Sequence, residues 1–65
     1  MKRSTLLQHL RKHGCTLKRE GSSHSLWTNS QTGAIEAVPR HTEIPNLLAN
    51  KICRNLSVPE IGRRR

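Results

Sequence analysis

Apolar residues open the chain at helical spacing: Leu6, Leu7 and Leu10 form a narrow stripe, and Arg11 and Lys12 fall on the opposite face. Ser4 stands where an N-cap is expected and Gly14 where a helix stops, so a first helix is predicted between them. Beyond Gly14 the pattern changes. Cys15 to Glu20 reads as a strand, Gly21, Ser22 and Ser23 as a turn, and His24 to Thr28 as a second strand antiparallel to the first. Asn29 to Gly33 supplies another turn and Ala34 to Val38 a third strand, which Pro39 ends because it lacks a backbone donor. Pro45 and Asn46 suit the start of a second helix, with Leu47, Leu48, Ile52 and Leu56 expected on one side and Pro59 at its outer limit.

The predicted class is α+β: an α-β-β-β-α sandwich in which a three-stranded antiparallel meander carries two helices on one face. This is also the element order of double-stranded RNA-binding domains. A chain of 65 residues buries only roughly 60% of the surface its unfolded form exposes, so it holds one thin core. The reading is a single domain over residues 1–65, with residues 60–65 as a flexible basic tail. Strand alternation places Ser25 and Trp27 on one face of the second strand and His24 and Leu26 on the other. With the Trp27 face buried, Trp27 is the core anchor and exposing His24 also exposes Leu26 unless a bulge intervenes; with Leu26 buried instead, His24 sits at the sheet edge or pairs with a polar partner.

Charge narrows the partners. Twelve Lys and Arg against four Asp and Glu give a net charge of +8, beyond what solubility needs, and point to a polyanion. Nucleic acid ranks ahead of an acidic protein. No apolar run approaches a spanning helix, Met1 to Leu10 lacks the core of a signal peptide, and no basic amphipathic helix or lipid signal is evident. The expected location is the cytoplasm, away from membranes, where Cys15 and Cys53 stay reduced and serve as small buried hydrophobes. Trp27 is the only aromatic side chain apart from histidine, which excludes the stacking platforms of sequence-specific single-strand readers.

Candidate chemistry centres on Gly21, Ser22, Ser23, His24, which sets an imidazole at the mouth of a strand beside hydroxyls and backbone donors. Histidine transfers protons near neutral pH. RNA cleavage needs a base for the 2′ hydroxyl, cations to steady charge on the phosphorus and an acid for the leaving 5′ oxygen, with no metal or other cofactor. Lys18 and Arg19 lie close enough in sequence to supply charge across the hairpin, and Arg40 and His41 form a second cationic pair after the third strand. From the residues alone, His24 is either a catalytic imidazole or a polar residue at a strand start, and Arg40 and His41 either meet phosphate or belong to a solvated loop. His9 and His13 have metal-binding i, i+4 spacing without a third ligand, and the acidic residues are too scattered for a paired-carboxylate or magnesium site.

The chain resembles the HicA family of toxins from bacterial toxin–antitoxin pairs. The resemblance rests on Met1, Lys2 and Ser4 at a helical start, Gly21, Ser22 and His24 in a Gly-Ser-X-His motif, Val38, Pro39, Arg40 and His41, and a closing helix with Ile52 before Leu56 and Ser57. It implies a metal-independent endoribonuclease that cleaves mRNA, with His24 as the catalytic residue; the RNA contacts read from the residues themselves are Lys18, Arg19, Ser22, Arg40 and His41. It also implies a HicB antitoxin partner that covers the active histidine in a hetero-oligomer. The sequence departs from the family pattern at Cys15 and at Ser25, where larger apolar or aromatic and apolar residues, respectively, are frequent. The alternative reading is a noncatalytic double-stranded RNA-binding module.

Overall fold

A computed structural model describes residues 1–61 and gives the order α1 (Arg3–Lys12), β1 (Cys15–Glu20), β2 (His24–Asn29), β3 (Ile35–Pro39) and α2 (Asn46–Asn55). The three strands pair antiparallel in the order β1-β2-β3. This is the α+β arrangement the alternation predicts. Ser25, Trp27 and Asn29 are buried beneath the helices, and His24, Leu26 and Thr28 take the other face, where Leu26 is half-buried. The sheet's irregularity lies in β1, between Leu17 and Arg19, so β2 runs without a bulge and His24 and Leu26 do share a face.

The core joins Leu6, Leu7 and Leu10 of α1 to Trp27, Val38, Ile44, Ala49, Ile52, Cys53 and Leu56. Trp27 is 1% exposed, and the Arg11 guanidinium sits 5.1 Å from its ring centroid, so a charge from the polar face of α1 covers the core anchor. Among the described residues no acceptor meets the Trp27 indole N–H. Asn29, also buried, donates to the Leu56 carbonyl at 2.8 Å, satisfying a helix-end group that α2 leaves open.

Two local expectations are corrected. Ser4 is not the N-cap of α1: the helix begins at Arg3 with Lys2 at the cap, and no side chain caps it. The cause is tertiary, since Lys2 bridges to Glu43 and the Arg3 N–H donates to the Thr42 carbonyl at 2.8 Å, which draws the helix start forward. Leu47 is 86% exposed, and the buried face of α2 is Ala49, Ile52 and Cys53. Leu47 stands five residues before Ile52 and so points about 140° away around the helix. Helix α2 closes at Ser57, whose φ is 61°, with the Ser57 and Val58 N–H groups donating back to the Arg54 and Cys53 carbonyls.

Of the segment read as a basic tail, Glu60 accepts a hydrogen bond from Arg54 at 2.7 Å and Ile61 packs against the core; the remainder, 62–65, lies outside the described residues. No helix among the described residues is long and apolar enough to cross a membrane.

Candidate active site

Strand β2 begins at His24, directly after a turn whose tightness is set by Gly21. The Gly21 N–H donates to the His24 carbonyl at 2.8 Å, and a Cβ on Gly21 would stand 2.8 Å from that same oxygen. Only glycine allows this approach without moving backbone. His24 pairs with Pro39 across the sheet, so the turn before β2 and the loop after β3 lie at the same end of the sheet.

Arg40 fastens those two segments together. Its side chain donates to Glu20 Oε1 at 2.6 Å and to the Gly21 carbonyl at 3.2 Å, and its backbone N–H donates to the Ser23 carbonyl at 3.3 Å. Glu20 is shared with Ser25, whose hydroxyl donates to Glu20 Oε1 at 2.8 Å and accepts from Arg3 at 2.8 Å. Arg3 completes the chain through Nε, which donates to the Pro39 carbonyl at 2.8 Å. Helix α1, both strand ends and the loop after β3 are thus tied together around one fully buried hydroxyl. This accounts for serine at a position where the face pattern alone favours an apolar residue: Ser25 faces the helices, but there it meets a guanidinium and a carboxylate.

His24 and His41 line one cleft of about 360 Å³, walled by Pro39, Glu43, Ile44, Pro45 and Leu48. The volume is near the lower end for ligand sites. The cleft is mostly apolar with few polar groups, and the imidazoles are the side chains on it suited to proton transfer at neutral pH. Glu43 is engaged with the amino group of Met1 at 3.5 Å.

The structure therefore separates the residues singled out in the sequence. His24 and His41 come together on the cleft. Arg40 lies beside them but spends one guanidinium nitrogen on Glu20 and Gly21. Ser22 is exposed in the turn, and Lys18 and Arg19 are exposed on β1, with Arg19 registered against Leu26 on the face away from the helices. Sequence reading missed Glu20, Arg3 and Ser25 as supports of the turn. The Ser25–Glu20 bond spans only the turn between β1 and β2, but the bonds from Arg3 and Arg40 that complete the support come from far along the chain and leave no local signal.

The remaining candidates are absorbed structurally. A ring nitrogen of His9 lies 2.7 Å from the Pro59 carbonyl and its ring packs against His13 at 4.6 Å between centroids. No group of three or more His, Cys, Asp and Glu among the described residues is arranged to hold a metal ion. Cys15 and Cys53 are buried free thiols. Burial pushes both thiols above their ordinary range, and a backbone hydrogen bond from Ile61 partly offsets this at Cys53.

Residues 3–58 fit the family model described as the HicA toxin of bacterial toxin–antitoxin systems. No curated protein and no solved structure gives a significant match.

Proposed function

Because the chain belongs to the HicA toxin family and is therefore a toxin of a bacterial toxin–antitoxin system, we propose that it is a metal-independent endoribonuclease that cleaves mRNA and so arrests translation and growth. The observation that carries this reading is the position of His24: the histidine of the Gly-Ser-X-His motif lines a cleft, at the end of a turn braced from three sides. In this reaction His24 exchanges a proton with the RNA at the scissile phosphate. The net charge of +8 gathers the polyanion, with Lys18, Arg19 and Ser22 on the hairpin and Arg40 and His41 on the facing loop as its contacts.

The partner that restrains the toxin is a HicB antitoxin, bound in a hetero-oligomer over the cleft, and both work in the cytoplasm. An acidic surface opposite the cationic hairpin suits such a partner. Co-purification of the two chains, lost at high salt, is the expected sign.

The test is gel analysis of a defined mRNA incubated with the purified protein, in chelator, beside His24→Ala. Cutting by the wild type and a loss of roughly 10²- to 10⁴-fold in the variant, the range for removing a general acid or base, are expected. Intact RNA with both proteins and binding retained by both overturns the proposal in favour of a noncatalytic RNA-binding module.

A further inference from the structure

Cleavage through the 2′ hydroxyl needs two proton transfers, and His24 serves one of them. We propose that His41 serves the other, so that the cleft works with a pair of imidazoles; the inference rests on the ribonuclease reading above. Two observations support the pairing. Both residues line the same cleft. Their backbones are also clamped to each other, because Arg40, the residue before His41, bonds through its N–H to Ser23, the residue before His24, and through its side chain to Gly21. The loop after β3 is not free to carry His41 away from the turn.

The reaction balances without a cofactor. One imidazole, neutral, takes the proton of the 2′ hydroxyl as the O2′–P bond forms. The other, protonated, gives its proton to O5′ as the P–O5′ bond breaks. The products are a 2′,3′-cyclic phosphate and a 5′ hydroxyl, and the two rings end in exchanged protonation states. Such a pair requires one charged and one neutral ring together, which produces a bell-shaped dependence of rate on pH.

Among the described residues, the titratable groups lining the cleft are His24, His41 and Glu43. Glu43 comes from the same loop as His41 and is held in an ion pair by Met1. Arg40 adds a fixed positive charge beside the turn, where it is paired with Glu20. Among these, only the imidazoles combine a place on the cleft with proton exchange near neutrality.

The experiment measures kcat and KM against pH for the wild type, His24→Ala, His41→Ala and Glu43→Gln. Each is assayed on an ordinary RNA and on one whose scissile 5′ oxygen is replaced by sulfur, a leaving group that departs without protonation. Thermal melting checks that each variant is folded; His41 is exposed, so its removal leaves the core intact. His41→Ala is expected to lower kcat by about a hundredfold or more and to lose one limb of the bell, while Glu43→Gln keeps both limbs. The sulfur substrate is expected to restore one histidine variant and not the other, which assigns the acid.

Any of the following results overturns the proposal. A His41→Ala effect confined to KM makes His41 a phosphate contact. An unchanged two-limbed profile in His41→Ala, or loss of a limb in Glu43→Gln, places the second proton elsewhere. A wild type that cuts no RNA removes the ribonuclease reading and this inference together, whereas cutting that needs His24 but ignores His41 removes only this inference.

Discussion

Replacing Ser25 by alanine tests whether the buried hydroxyl organises the site. Its oxygen makes two hydrogen bonds to charged partners, at 2.8 Å to Arg3 and 2.8 Å to Glu20. A bond to a charged group contributes about 1.5–3 kcal/mol, but neither partner is stranded when the hydroxyl goes. Arg3 keeps the Pro39 carbonyl, and Glu20, whose side chain is 53% exposed, keeps Arg40 and can recruit water. Solvent access to Glu20 discounts its share heavily, leaving a net loss of about 2 kcal/mol for Ser25→Ala. For a domain of this size each kcal/mol moves the melting point by roughly 4–8 °C, so a fall of about 8–16 °C is expected. The assay is thermal denaturation followed by circular dichroism, with Glu20→Gln and the double variant completing a cycle. Coupling of at least about 0.5 kcal/mol between the two sites is expected. A melting point within about 2 °C of wild type, or strict additivity, refutes the argument that this hydroxyl joins α1 to the turn.

Three further outcomes follow from the same geometry. Gly21→Ala forces a Cβ to 2.8 Å from the His24 carbonyl, so RNA cleavage should fall at least about tenfold, the scale on which misplaced catalytic groups lose rate, while far-ultraviolet circular dichroism is retained; unchanged kcat would show that the turn tolerates the shift. Ser57→Gly removes the strain of φ 61° at the end of α2 and should raise stability by about 0.5–1 kcal/mol in urea titration; a lower midpoint would count against it. Burial raises the folded thiols of Cys15 and Cys53 above the ordinary 9.0, so stability should hold below that pH and decline as pH rises past it, when the unfolded thiols ionise first. Urea midpoints measured between pH 8 and pH 10 on wild type and on a Cys15→Ala, Cys53→Ala variant check this, the decline being smaller in the variant.

Much of the fold is legible in local pattern because local physics causes it. The alternation of Ser25, Trp27 and Asn29 against His24, Leu26 and Thr28 follows from the two-residue repeat of a strand; it left either Trp27 or Leu26 as the buried residue, and the packing of the helices decided for Trp27. Gly14 at φ 89° ends α1 for a reason intrinsic to glycine. Where the reading failed, a distant contact outweighed a local preference: α1 starts at Arg3 because its first residues are zipped to 42–44, and Ser4 never acts as a cap.

The candidate site shows the same division. Sequence alone determined which residue types were available, a histidine after a glycine-serine turn and an Arg-His pair after the third strand, together with the net charge of +8. Only tertiary structure decided that His24 and His41 share a cleft, that Arg40 braces the turn, and that Ser25, Glu20 and Arg3 support it. The rotation of α2 that leaves Leu47 in solvent belongs with these. Periodicity constrains which side of an element is apolar, but the partner an exposed or polar side chain meets depends on how strands register and loops close, and most of those interactions, such as Arg3 with Ser25 and Arg40 with Glu20, join residues too far apart along the chain for a local pattern to encode.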